Sequence, residues 1–410
     1  MRRYVLFLLM MVPLSAMTQW LTPAWVEVGP NHRVLARMVM GDSSECPSIA
    51  IDNLPPVPMS PRVPVPKHFH PACEFEIPSG TVRAVAGSQK LVLPVDDPGR
   101  IVVIGDTGCR LKGDRIQACN DPEVWPFAKV AAVAAARQPQ LVIHVGDYLY
   151  RESPCPAADE KECGGSPSGD NWDAWNADFF SPASSLLAAA PWAFSRGNHE
   201  SCSRAAQGWF YYLDPRPLSE SCEDYSEPYV ASFGHFQLLM VDSSAAKDAA
   251  VDPQQLARYS AMLKPFASTN GWLVEHHPIW GLKRDGGDSG DAPLTAVMAQ
   301  AYEAAGLSNI ELVLAGHTHL FEILSYSGGR PPQIVAGDAG TSLASKIEKD
   351  LKGETVFGTQ VASGASRHQF GFTLLERKKD RWDLSLNDPS SKILAACRIK
   401  GKSVRCKGSK

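Results

Sequence analysis

Leu141-Val142-Ile143-His144-Val145-Gly146-Asp147-Tyr148-Leu149-Tyr150 joins an apolar run of strand length to a glycine turn and metal-capable side chains. The run is nearly continuous rather than alternating, which suits a strand buried on both faces. The same pattern recurs. Ile101–Ile104 leads to Gly105-Asp106-Thr107-Gly108, and Trp192–Phe194 to Gly197-Asn198-His199-Glu200. Trp272–Val274 leads to Glu275-His276-His277-Pro278, and Ile310–Leu314 to Gly316-His317-Thr318-His319. A sixth run, Phe236–Val241, has no such ending. Between the runs, Trp125 to Arg137 and Ala292 to Ala305 read as Ala-rich helices, and Asp252-Pro253 pairs an N-cap with proline at the first helical position. The expected architecture is α/β. In open α/β sheets ligands bind outside the carboxyl ends of the strands, so five loops would meet in one crevice.

A single Gly-Asp at a strand end is ordinarily a turn in which the Asp caps a backbone N–H. Five such endings, each after a buried strand, point beyond turns. Together they offer two Asp, one Asn, one Tyr and several His.

The rest of the chain sets the context. Its 410 residues are 44% apolar and 20% charged, which excludes a coiled coil, collagen and a largely disordered chain. A net charge of −4 gives no electrostatic reason to expect a nucleic-acid partner or an anionic membrane. Residues 1–17 read as a signal peptide: Met1-Arg2-Arg3, an apolar stretch from Tyr4 to Val12, then Pro13-Leu14-Ser15-Ala16. The stretch is short for a membrane span, and no stable span is expected after its removal. The protein is therefore expected to be exported, periplasmic or secreted. Ten cysteines fall as close neighbours: Cys46 and Cys73, Cys109 and Cys119, Cys155 and Cys163, Cys202 and Cys222, Cys397 and Cys406. An even count in an exported chain suggests disulfides, and nearest-neighbour pairing is the simplest guess among many connectivities.

Residues 18–96, with seven prolines between Pro55 and Pro71, suggest a β-rich accessory segment. There His68 and His70 would share a strand face, as solvated surface groups or a metal pair. Residues 97–386 form the expected catalytic domain, ending in a hairpin from Phe372 to Leu386 that turns at Lys378-Lys379-Asp380. Residues 387–410 make a disulfide-containing tail.

The ordered blocks G-D-T-G, G-D-Y-L-Y, G-N-H-E, L-V-E-H and G-H-T-H resemble the calcineurin-like metallophosphoesterases over about residues 100–325. Within these they are similar to the purple acid phosphatases, whose pattern is GDxG, GDxxY, GNH(D/E), VxxH and GHxH. The fourth block departs slightly, with Leu273 where Val is usual. The resemblance implies a sandwich of two β-sheets flanked by helices, and a binuclear metal centre. Asp106, Asp147, Tyr150 and His319 would hold one metal, and Asp147, Asn198, His276 and His317 the other, with Asp147 bridging. Hard oxygen ligands with a phenolate suit Fe(III); imidazoles with an amide oxygen suit Zn, Mn or Fe(II).

The implied activity is hydrolysis of a small phosphorylated substrate, a phosphate monoester, by in-line attack of metal-bound hydroxide. A phosphodiesterase acting on nucleotides or lipid headgroups is the nearer rival, and a non-catalytic exported binding module the farther one. His199 would protonate the leaving oxygen or bind phosphate; the alternative is a structural His held by Glu200. The family pattern puts the ligand two residues before proline, at His276, and leaves His277 on the substrate side. In the Gly-rich loop Gly281 to Gly290, Lys283 or Arg284 could meet phosphate. Arg196 would pair with a ligand carboxylate or with phosphate, His144 would be a buried hydrogen-bonded residue, and Cys109 a partner for Cys119 rather than a soft ligand.

Overall fold

Apolar runs buried on both faces require two sheets with helices outside them, and a computed structural model has that arrangement. It describes residues 20–42, 45–247, 251–280, 296–344 and 351–407. The signal-peptide segment 1–17, the loop 281–290 with Lys283 and Arg284, and the first residues of the Ala292 to Ala305 helix lie outside the described residues.

Two large sheets stack face to face. The centre of the first holds three parallel neighbours, Arg100–Ile104, Leu141–His144 and Pro191–Phe194. The centre of the second holds Phe236–Met240, Gly271–Val274, Ile310–Ala315 and Gln333–Ala336, also parallel. Strand periodicity divides each apolar run between two cores. Ile101, Val103, Leu141, Ile143, Leu238, Met240, Trp272, Val274, Leu312 and Leu314 meet between the sheets. Val102, Ile104, Val142, Trp192 and Phe194 face outward under the helices Phe127–Ala136 and Ser181–Leu187. Leu239, Leu273 and Val313 do the same on the second sheet, under Pro253–Leu263 and Ala296–Ala305. Asp252 caps its helix as the sequence suggests, accepting from the backbone N–H groups of Gln254 and Gln255.

The hairpin expected at the chain's end forms, with Phe372–Lys378 pairing Arg381–Asn387 and Phe372–Lys378 lying antiparallel to Arg100–Ile104. The boundaries expected at 96/97 and 386/387, however, do not separate the sheet from its neighbours. Trp25–Val28 pairs parallel with Pro191–Phe194, and Val34–Val39 and Ala72–Glu76 continue the first sheet from there. At the opposite edge Ile393–Lys400 and Ser403–Cys406 add two more strands, so the expected tail is sheet. The physical reason is edge coverage: both ends of the sheet gain strands that satisfy open backbone groups. Within the accessory segment, Val57–Pro58, Ser48–Ile51, Ala84–Ala86 and Gln89–Lys90 form a separate small sheet. His68 and His70 do not share a strand; His68 is exposed in a turn, and His70 pairs with Asp42 at 2.5 Å.

All five nearest-neighbour cysteine pairs are disulfides, and no free cysteine remains. Among the described residues no helix is long and apolar enough to cross a membrane.

Candidate metal centre

The five strand-end loops converge at the carboxyl edge shared by the two sheets. Asp106 follows Arg100–Ile104, Asp147 and Tyr150 follow Leu141–His144, and Asn198 opens a short turn after Pro191–Phe194. His276 follows Gly271–Val274, and His317 and His319 follow Ile310–Ala315. Asp106, Asp147 and His317 have left-handed backbones, with φ of 54°, 61° and 66°. The glycine before Asp147 is forced by space: a Cβ on Gly146 would lie 2.6 Å from His276 Nδ1.

The side chains form two linked groups. Tyr150 Oη lies 2.8 Å from Asp106 Oδ1, 2.7 Å from Asp147 Oδ2 and 3.0 Å from His319 Nε2. Asn198 Oδ1 lies 3.0 Å from His276 Nε2 and 2.9 Å from His317 Nδ1. Asp147 Oδ2 joins the groups, 3.2 Å from His276 Nε2. Asp147, His276 and His317 each offer a ligand atom, all within 4.8 Å of one another.

These donors fit a pair of cations. His319 and His276 use Nδ1 against the carbonyls of Ser342 (2.9 Å) and Val145 (2.8 Å), which leaves their Nε2 lone pairs facing the cluster. Tyr150 has one hydroxyl proton for three acceptors. The field asks for positive charge. Burial disfavours a charged His276, yet Asp147 and Asp106 outweigh it and push its pKa up to about 10. Burial and the same two carboxylates hold the Tyr150 phenol protonated, its pKa well above the ordinary value. Bound cations would reverse that last effect.

A layer of buried groups fixes the ligands. Glu200 accepts four backbone N–H bonds, from Asp147, Tyr148, Leu149 and Gly197. Asp178 accepts from the backbone of Cys109, Tyr150 and Arg151. Ser243 Oγ accepts from the N–H groups of His276 and His277. His144 is buried, stacked on Tyr148 with centroids 3.9 Å apart and 3.1 Å from Thr107 Oγ1.

His199 stands beside the cluster. Its N–H donates to Asp147 Oδ1 at 2.8 Å, and its ring lies on Tyr150, centroids 3.7 Å apart. Nδ1 is 2.8 Å from Glu152 Oε1 and 3.1 Å from the Leu149 carbonyl, while Nε2 is 3.8 Å from Asp147 Oδ2. Burial lowers its pKa, partly offset by Asp147 and Glu152. Glu200 does not hold this histidine: its two oxygens are taken by the Asp147 loop, and Glu152 holds the ring instead. His277 is buried with its ring against His317, centroids 4.2 Å apart. Arg196 reaches neither a ligand nor the crevice; it pairs with Asp242 at 3.1 Å and with the Glu200 carbonyl.

Glu152, Arg204, Asp178 and Ser243 escape sequence reading. Glu152 has a weak signal, five residues past Asp147 on the same loop. Ser243 closes the one apolar run without a ligand-bearing end.

A family model described as calcineurin-like phosphoesterase matches residues 99–321. A search of curated proteins finds no match. Among solved structures, the chain is similar to a purple acid phosphatase, PPD1, from yellow lupin (Lupinus luteus) seeds. That likeness has a TM-score of 0.57 and 12% identity, covering 92% of this chain and 74% of that one. A structure of PhoD gives a TM-score of 0.56 at 11% identity, covering 94% and 92%. At such identities the two likenesses concern the fold.

Proposed function

The chain belongs to the calcineurin-like phosphoesterase family, and on that premise we propose that it is an exported, acid phosphatase-like hydrolase of phosphate monoesters. The observation that supports this most is the convergence of seven donor side chains from five strand ends into one cluster, linked through Tyr150, Asp147 and Asn198. Asp106, Asp147, Tyr150 and His319 would hold one cation, and Asp147, Asn198, His276 and His317 a second. The phenol and carboxylates favour Fe(III) in the first place; the imidazoles and amide favour Zn, Mn or Fe(II) in the second. When bound, such a pair supplies Lewis acidity toward phosphoryl oxygens and acidifies the attacking water.

The protein's own residues do the rest. Glu200, Asp178 and Ser243 hold the ligand loops through backbone N–H bonds, so the donors are placed before any ligand arrives. Glu152 and the Leu149 carbonyl engage His199 Nδ1, and Nε2, which lies 2.8 Å from Arg204 Nη2, is the atom that would pass a proton to the departing alcohol once the substrate oxygen displaces that contact. Burial lowers the pKa of that ring and eases release of the proton. Five disulfides support the export reading.

The test is turnover of 4-nitrophenyl phosphate and bis(4-nitrophenyl) phosphate by protein purified without chelators, with metal content measured on the same sample. Two metals per chain and faster monoester turnover are expected. Faster diester turnover would replace the monoester reading with a phosphodiesterase. Two metals without turnover of either ester would leave a binding module.

A further inference from the structure

Three arginines near the centre are neutralised where they stand. Arg151 Nε is 2.6 Å from Asp178 Oδ1, Arg196 Nη1 is 3.1 Å from Asp242 Oδ2, and Arg204 pairs with Glu152. Arg110 is different. Among the described residues no carboxylate pairs with it, and its Nε is buried without a hydrogen-bond partner. Its guanidinium lies over the Tyr150 ring, 5.1 Å from the centroid, and Nη2 is 3.4 Å from His319 Nε2. The cation therefore lies against two of the expected ligands, next to the His319 nitrogen that faces the cluster.

The backbone beneath Arg110 is held firmly. The Cys109–Cys119 disulfide closes its loop. Arg110 N donates to Gln117 Oε1 at 3.0 Å, and Gln117 Nε2 donates to the carbonyls of Val124 (2.8 Å) and Gly340 (3.0 Å). The short strands Leu111–Lys112 and Arg115–Ile116 pair directly after it. A half-buried guanidinium without a counter-ion is costly unless an anion meets it. Its planar fork matches two oxygens of a phosphoryl group, and such charge-assisted pairs are about twice as strong as neutral ones.

We propose that Arg110 binds the phosphoryl oxygens of the substrate and gives the site its preference for a dianionic phosphate monoester over a monoanionic diester. This rests on the hydrolase reading above and deepens it. A diester has one anionic charge and two blocked oxygens, so it gains less from an added cation.

The test compares wild type, R110Q and R110K, each with metal content and thermal unfolding measured. Calorimetry gives the affinity for inorganic phosphate and for dimethyl phosphate; steady-state kinetics give kcat/KM for the mono- and bis(4-nitrophenyl) esters. R110Q should keep its metals, bind inorganic phosphate ~10–100-fold more weakly and lose most of the monoester preference. R110K, a point charge without the fork, should fall between. Phosphate affinity within about twofold of wild type in R110Q, or equal losses for both esters, would overturn the proposal. So would the same loss in R110K as in R110Q, or loss of metal. If wild type turns over neither ester, the hydrolase reading fails, and phosphate against dimethyl phosphate affinity alone decides the role of Arg110.

Discussion

Removing Glu200 should unfasten the loop that carries Asp147, although Glu200 is not one of the expected ligands. Oε2 accepts from Asp147 N and Gly197 N, both at 3.1 Å; Oε1 accepts from Tyr148 N at 2.8 Å and Leu149 N at 3.1 Å. All are buried. A buried N–H left without an acceptor costs about 1–3 kcal/mol, so four give roughly 4–12 kcal/mol. Water entering the space left by Glu200→Ala should bring the loss to the lower end, about 4 kcal/mol. That is a large part of the ~5–15 kcal/mol typical of a folded domain. Glu200→Gln keeps one oxygen and its two donors but sets an NH2 group against the other two, so it should lose about half as much. Urea unfolding followed by tryptophan fluorescence, with disulfides intact, should rank wild type above Glu200→Gln and Glu200→Ala last. Metal content should fall in the same order, because Asp147 would relax from its left-handed backbone. A Glu200→Ala protein within ~1 kcal/mol of wild type and fully loaded with metal would refute this account of the loop.

Asn198→Ala removes the oxygen between His276 and His317, and should cost one metal per chain and nearly all turnover; full activity would remove the two-metal assignment. His199→Asn should keep both metals and lower kcat by ~10²–10⁴-fold, with a smaller loss for esters whose leaving group needs no proton. An equal loss for good and poor leaving groups would mark His199 as a binding or structural residue. Tyr150→Phe should abolish the visible absorbance expected of a phenolate on Fe(III), and elemental analysis should still find metal on the remaining ligands. A colourless wild-type protein carrying ferric iron would show that Tyr150 is not a ligand.

The parts legible in the sequence are those with a local cause. Strands buried on both faces must be apolar throughout, and ligand loops must turn sharply, so runs such as Leu141–His144 followed by Gly146-Asp147 stand out. Long-range pairings leave no such mark. Arg37 within Val34–Val39 has no local sign of its partners, which come from distant strands: Glu27 at 2.7 Å and Glu74 at 3.0 Å, inside the first sheet. Glu152 reads as a surface acid, because nothing local ties it to His199. Arg196 carries a charge that the sequence ties to either a ligand or phosphate, and the fold spends it on Asp242 instead. Arg110 sits one residue past Cys109 with no local signal of its own, and among the described residues no carboxylate pairs with it.

The strained residues explain why these loops need both sheets. A non-glycine residue in the left-handed region costs roughly 1–2 kcal/mol, and the centre holds three of them at Asp106, Asp147 and His317. None is held by its own loop alone. Asp106 N donates to the Gly146 carbonyl and Thr107 N to the Asp147 carbonyl, each at 3.0 Å, so two loops of the first sheet brace each other. His317 N, from the second sheet, donates to Asp106 Oδ2 at 3.0 Å and ties the sheets together at the same point. Glu200 completes the support beneath Asp147. Strain persists at functional sites only where surroundings over-determine it, and here the surroundings are the ligand loops themselves. Loosening any one of them should therefore disturb donors on both halves of the centre, a coupling that a set of independent turns would not have.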